Sequence, residues 1–237
     1  STADRREACA VIRDWLTDLD GKSVRSSFCH GNVHGGFHNA LNAVLPQLKK
    51  ILDARDKSKN VVLCGHSLGG ALATLCAAWV RENYTDKVML YTYGSPRAGC
   101  RDFVEHYTKV KPFPAFRVAN PTDLVPSVPW DTASRDARRA ESAPLVVLSP
   151  LGWIIVARNE IRESPEYMRY KHLGTPVSLQ ASGFSIVGNP AHLDGEFRAG
   201  VQKDWETMPL GDFIKSRSDN IYHHFMAEYL PRLRKDF

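Results

Sequence analysis

An α/β fold, with a mostly parallel sheet flanked by helices, is what three observations predict for this chain. Short apolar runs of strand length alternate with stretches of helical periodicity. Most of these runs end in turns rich in Gly, Pro, Asn or Asp. The 237 residues, 43% of them hydrophobic, suffice for one full core, so a single domain over 1–237 is the simplest organisation.

The elements follow in order. Residues 4–19 place Ala8, Val11, Ile12, Trp15, Leu16 and Leu19 at helical spacing with charges between them, which predicts an amphipathic helix. A loop rich in Gly, Ser and His leads to Val33-His34-Gly35-Gly36-Phe37. A helix then runs to about residue 55, with Ala40, Leu41, Val44, Leu48, Ile51 and Leu52 on its apolar side and Pro46 expected to kink it. Residues 60–65 read as a strand, 69–84 as a helix, and 88–93 as a short strand stopped by Gly94-Ser95-Pro96. A helix over about 100–109 and a strand over 115–119 come next. The turn Asn120-Pro121-Thr122-Asp123 then leaves an acid at that strand's carboxyl end. Residues 131–170 lack a regular period and are expected to form an insertion beside the sheet. Residues 173–179 predict a further strand, 182–212 a long loop, and 221–233 a closing amphipathic helix.

Composition excludes several classes. The formal charge is +5, but acidic residues interleave the basic clusters at Arg135, Arg138 and Arg139 and at Arg232, Arg234 and Lys235. A nucleic-acid surface is therefore not expected, whereas peripheral contact with anionic lipid is compatible with this balance. No stretch approaches the roughly 20 apolar residues of a membrane span, and the longest apolar run, 144–157, is broken by Ser149, Pro150 and Gly152. The cysteines at 9, 29, 64, 76 and 100 show no paired spacing, so no disulfide framework is expected. Reduced cysteines fit production in the cytoplasm, with export where the target is an external membrane.

Chemistry concentrates at Gly65-His66-Ser67-Leu68-Gly69, which joins the apolar run 60–64 to the helical run 70–76. That is the strand-turn-helix setting of a nucleophile elbow. The turn exposes Ser67 for attack. The following helix aims unpaired N–H groups at the reacting centre, making the Leu68 amide a candidate oxyanion donor. Glycine is expected at 65 and 69 because β-carbons there would strike the backbone. The alternative is a Gly-rich turn that only packs. A serine nucleophile needs a base, and the base needs an acid, arriving after such an elbow in the order Ser, Asp or Glu, His. Asp123 is the candidate acid, against a turn-capping role. His172, His192, His223 and His224 are the candidate bases. His172 opens a predicted strand and is expected to pack, His192 lies in a loop and competes, and the neighbours His223 and His224 cannot both face the serine. Cys29, His30, His34 and His38 include a four-residue spacing that fits one face of a metal-binding helix, but Gly31, Gly35 and Gly36 oppose a helix there, and no metal is expected.

Over most of its length the chain resembles the class 3 lipases, a family with an α/β-hydrolase-type sheet. The resemblance lies in Val33 to Phe37, Gly65 to Leu75, Tyr91-Thr92-Tyr93-Gly94-Ser95-Pro96-Arg97-Ala98-Gly99, the segment from Arg117 to Pro126, and His224-Phe225-Met226-Ala227-Glu228-Tyr229-Leu230. It supports Asp123 as acid, selects His224 over His223, and demotes His172, whose segment Tyr170 to Gly174 resembles a non-catalytic strand motif. The stretch Ile12 to Leu19, with Ile12, Trp15 and Leu16, resembles the family's lid. Ser1 or Thr2 falls where a second oxyanion donor is expected. The strand preceding that position in the family is missing, so an upstream segment or a partner chain is expected to complete the sheet.

The resemblance implies a lipase or esterase with the triad Ser67, Asp123 and His224, needing no cofactor and acting on acylglycerols or phospholipids at a membrane or micelle surface. Two alternatives remain: an antagonistic bacterial phospholipase effector domain, and an inactive lipase-like scaffold that binds partners.

Overall fold

The computed structural model describes residues 22–120, 123, 125–127, 129, 170–180, 183–186 and 224–233. The expected lid helix 4–19, the oxyanion candidates Ser1 and Thr2, His192, His223, and residues 131–169 of the expected insertion lie outside the described residues.

Among the described residues two sheets form where one was expected. The small one begins with β1 (Ser23–Arg25), inside the predicted loop, paired antiparallel to β2 (Asn32–His34). The chain then enters α1 (Gly35–Ala54), whose amino end is capped by His34, Nδ1 accepting from the Phe37 amide at 3.4 Å. Helical spacing turns Phe37, Leu41 and Leu52 inward. β3 (Val61–His66), α2 (Leu68–Asn83) and β4 (Val88–Tyr93) follow as a βαβ unit, with β3 and β4 parallel. α2 packs against both α1 and the sheet, which is why it is apolar nearly all round, with Ala71, Leu75, Ala77, Ala78 and Val80 fully or almost fully buried.

β5 (Gly99–Cys100) adds to the small sheet beside β2 and leads into α3 (Arg101–Glu105). Of the predicted helix 100–109, Cys100 belongs to β5 and the rest is helical but changes type: His106–Val110 is a π-helical turn. The reason lies on α2. Glu82 accepts from His106 Nε2 at 2.9 Å and from the Tyr107 hydroxyl at 3.0 Å, and it pairs with Lys111. The wider turn, with its five-residue repeat, brings His106 and Lys111 to the same carboxylate. Burial alone would raise the Glu82 carboxyl, but hydrogen bonds from Lys111, Tyr107 and His106 overcome it and hold the group below its ordinary value.

β6 (Ala115–Ala119) pairs parallel with β4, and a 3₁₀ turn covers Val125–Ser127. β7 (Tyr170–Lys171) completes the small sheet in the order β1-β2-β5-β7. β8 (Thr175–Gln180) starts two residues later than predicted, so His172 precedes the strand rather than opening it. β9 (Gly183–Ile186) lies inside the predicted loop 182–212 and pairs antiparallel with β8. α4 (Met226–Leu233) closes the described chain. The main sheet runs β3-β4-β6-β8-β9, parallel up to β8. In register His66 stands opposite Tyr93 and Tyr93 opposite Val118, so the carboxyl ends of β3, β4 and β6 lie side by side. Open α/β sheets collect ligand-binding and catalytic groups at that edge.

Candidate active site

Three chain segments meet at this edge. Ser67, immediately after β3, has φ 56° and ψ −130°, the one positive φ among described residues that are not glycine. Such a conformation costs on the order of 1–3 kcal/mol and persists only where its surroundings fix it. Here the Ser67 amide donates to the Tyr93 carbonyl at 3.0 Å, and the Ser67 carbonyl accepts from the amides of Gly70 at 2.9 Å and Ala71 at 3.3 Å. The backbone is thus pinned from β4 and from α2. Leu68 is the first residue of α2, so its N–H has no acceptor within the helix and lies next to the serine. The reason expected for the glycines holds at one of the two positions. A β-carbon at Gly65 would overlap the Gly69 carbonyl, whereas one at Gly69 meets open space; the second crowded position is Gly70, where it would fall 2.7 Å from Ser95 Cβ.

Asp123 and His224, 101 residues apart, form a buried pair. Since a carboxylate only accepts, His224 Nδ1 carries the proton and donates to Asp123 Oδ2 at 2.8 Å. The other oxygen, Oδ1, accepts from the Val125 amide at 2.9 Å. A neutral imidazole protonated at Nδ1 presents a bare lone pair at Nε2. That atom is buried and has no hydrogen-bond partner among the described residues. Ser67 Oγ is thus not bonded to it here, although the neighbouring His66 is in direct contact with His224: its Nε2 lies 2.7 Å from the His224 carbonyl.

The other described histidines have structural partners. His172 donates from Nε2 to the Pro126 carbonyl at 2.7 Å, bracing the chain beyond Asp123. His30 stacks on His106 at 4.0 Å, His34 caps α1, and His38 stacks on Phe28 at 4.7 Å, so the three diverge rather than line one helical face. Among the described residues no group of three or more His, Cys, Asp or Glu could hold a metal ion. Burial pushes the Cys29 and Cys100 thiols up to about 12 and that of Cys76 to about 11, which leaves them protonated and poor nucleophiles near neutral pH.

A family model described as Lipase (class 3) matches residues 8–133, more than half of the sequence. The chain belongs to the class 3 lipase family. Over 224 residues this lipase-family chain is 41% identical to Toxin TseL of Vibrio cholerae, covering 92% of the chain and 33% of that protein. It is 34% identical over 122 residues to Secreted mono- and diacylglycerol lipase 1 of Fusarium solani, covering 50% of the chain and 36% of the relative. The chain thus spans about a third of the length of these relatives. Among solved structures, a Rhizomucor miehei lipase propeptide complex aligns with a TM-score of 0.53 at 26% identity, over 74% of this chain and 48% of that one. A mutant form of MDLA from Penicillium cyclopium aligns with a TM-score of 0.54 at 22% identity, over 85% and 63%, which shows the shared α/β-hydrolase fold.

Three residues of this lipase-family site were not given roles by sequence reasoning. The Tyr229 hydroxyl, buried on α4, donates to Asp123 Oδ2 at 2.6 Å and accepts from the Asn120 amide at 3.1 Å. Burial first, and the adjacent Asp123 second, hold its phenol well above the ordinary value, so it remains a donor. Gly94, at φ +54°, ends β4 against the pair: a β-carbon there would lie 2.7 Å from Asp123 Oδ2 and 3.0 Å from His224 Nδ1. His66 is the third. The available signals were the Tyr five positions after His224 and the Gly closing the run Tyr91 to Gly94.

Tyr229→Phe is expected to lower stability by about 1–3 kcal/mol, because the buried Asn120 amide loses its acceptor and the carboxylate a donor. Denaturant titration beside wild type measures this. An unchanged midpoint would mean that the hydroxyl does not hold the acid.

Proposed function

We propose that this chain hydrolyses carboxylic esters of lipids, with Ser67 as nucleophile, His224 as base and Asp123 as the acid that orients it. The observation that carries the reading is the His224 Nδ1 to Asp123 Oδ2 hydrogen bond, which leaves a bare Nε2 at the sheet edge where Ser67 stands. Ser67 Oγ attacks the acyl carbon while Nε2 takes its proton. The oxyanion accepts from the Leu68 amide, with Ser1 or Thr2 as second donor. As the intermediate collapses, the imidazolium returns the proton to the departing alcohol, leaving an acyl-serine. Water, deprotonated by the same Nε2, then releases the fatty acid and regenerates the serine. Every atom and proton is accounted for by the ester, water and these side chains.

Lipid as the substrate class, met at a membrane or micelle surface, is supported by family membership and by the names of the relatives. The closed state of the base supports a lid. His224 is 0% exposed, so an acyl carbon reaches Nε2 only after the groups over it move. We assign that cover to the helix 4–19 with Ile12, Trp15 and Leu16. Burying a side chain of this size is worth roughly 2–3 kcal/mol, enough to favour closure in water and opening on lipid. A further strand beside β3 belongs to the same reading: β3 ends the described sheet.

The experiment is hydrolysis of a short-chain ester titrated through its solubility limit, then of triacylglycerol emulsions and phospholipid vesicles. Rates should stay low until an interface forms and then rise abruptly, and Trp15→Ala should flatten that rise. Rates that climb smoothly with concentration in both proteins would remove the lid from the account, and no hydrolysis of any ester would remove the activity.

A second reading, an effector domain that attacks a target cell's phospholipids, is favoured by the 41% identity with a protein named as a toxin across 92% of this chain. Preference for phospholipid vesicles over triacylglycerol, together with growth arrest on directing wild type but not Ser67→Ala to the bacterial envelope, would select it.

A further inference from the structure

His66 occupies the variable position of the G-x-S-x-G turn, where the motif alone asks nothing of the side chain. In the fold it is the last residue of β3, paired with Tyr93 of β4, and the two-residue alternation of a strand puts it on the same face as Val62 and Cys64. Its ring lies against three features of the acid–base pair at once. Nε2 is 2.7 Å from the His224 carbonyl, the imidazole planes of His66 and His224 are stacked with centroids 4.6 Å apart and 28° between them, and the Tyr229 ring meets His66 edge-on at 5.9 Å.

A carbonyl only accepts, so His66 Nε2 carries a proton and donates it. The hydrogen bond fixes the backbone of the turn from which His224 projects, just before α4. The stack fixes the plane of the His224 ring. Without these two contacts, Nδ1 to Asp123 would be the remaining polar restraint on His224 among those described, and one hydrogen bond leaves a ring free to swing about it. Because the next residue after His66 is Ser67 itself, the same contacts tie the base to the nucleophile's own strand rather than to a distant part of the molecule.

We infer that His66 is a positioning residue for His224, holding the carbonyl and the ring plane so that the bare Nε2 of His224 faces Ser67. The inference rests on the triad reading above and adds to it a fourth side chain that never touches substrate. Charge supports it in the same direction. Burial, and then the nearby His224, lower the His66 imidazole from its ordinary value of 6.5, so His66 is neutral where His224 must become an imidazolium in the transition state. The titratable groups that face it are His224 and Asp123, with the phenol of Tyr229 at its edge. Once His66 is protonated, below its ordinary value, a second cation lies against the forming imidazolium.

Three variants separate the contacts. His66→Phe keeps the stack and loses the donor, His66→Gln keeps a donor and loses the stack, and His66→Ala loses both. On a soluble short-chain ester we expect His66→Ala to lower kcat by up to about a hundredfold, the scale of a misplaced reacting group, with KM changed less than about twofold. His66→Phe and His66→Gln should each recover part of the loss. On the acid side the wild-type rate should fall more steeply than that of His66→Gln, because protonation of His66, which comes below its ordinary value, sets a second cation against the imidazolium. The triad reading is judged separately, by whether wild type hydrolyses the ester at all and takes a fluorophosphonate on Ser67. If wild type passes both and the His66 variants match its kcat and pH slope, the positioning role is overturned. A loss of kcat that tracks only a loss of folded protein, and disappears when the rate is corrected for folded fraction, overturns it equally.

Discussion

Ser67→Ala is expected to lower ester turnover at least about a thousandfold while leaving the fold intact. The residual rate would come from substrate held against the Leu68 amide, where water attacks without an activated nucleophile. Stability should change by less than about 0.5 kcal/mol, because alanine keeps the β-carbon and the backbone bonds from Tyr93, Gly70 and Ala71 that hold φ at 56°. Initial rates with matched thermal melts measure both quantities. A variant with wild-type rates would move the nucleophile elsewhere, and a variant that fails to fold would make Ser67 structural.

Asp123→Asn should cost about ten-thousandfold in kcat, through a wrong tautomer rather than a lost shape. Asp123 Oδ2 accepts from His224 Nδ1 and the Tyr229 hydroxyl, and Oδ1 from the Val125 amide. An asparagine has one accepting oxygen for these three donors. If its amide nitrogen takes the Oδ2 place, it faces the Nδ1–H and drives the proton to Nε2, which then cannot act as a base. If it takes the Oδ1 place, it opposes the Val125 N–H inside a buried site, at about 1–3 kcal/mol in stability. Stopped assays on purified variant and wild type, with denaturant midpoints, distinguish the two placements. Retention of more than about a tenth of the wild-type kcat with an unshifted denaturant midpoint would fit neither placement and would show that Asp123 does not set the tautomer.

Much of the candidate site was legible because its parts are local in sequence. Ser67 could be read from a strand, a turn and a helix close together in the chain, and Asp123 from a turn at a strand's end. The strands at β4 and β6 matched their predicted bounds because each is a short apolar or alternating run closed by Gly or Asn-Pro. What stayed hidden depends on contacts between distant segments. Tyr229 reaches Asp123 across 106 residues, and His66 reaches the His224 carbonyl across 158. No local period records either contact. The small sheet could not be read from periodicity because its strands are two or three residues long, too short to show alternation; the resemblance alone pointed to strand at β7. The π turn at His106 arises from Glu82 on a different helix, so the segment's own helical spacing could not reveal it. His224 itself could be chosen over His223 only through the resemblance of its following residues to the family.

The most direct measurement of the central claim is covalent labelling with a fluorophosphonate, followed by peptide mass spectrometry, in wild type, His224→Ala and His223→Ala. One adduct on Ser67 is predicted in wild type and in His223→Ala, with the labelling rate at least about a hundredfold lower in His224→Ala because the base is gone. An adduct on another residue, or a His224→Ala protein that labels as fast as wild type, would contradict the account.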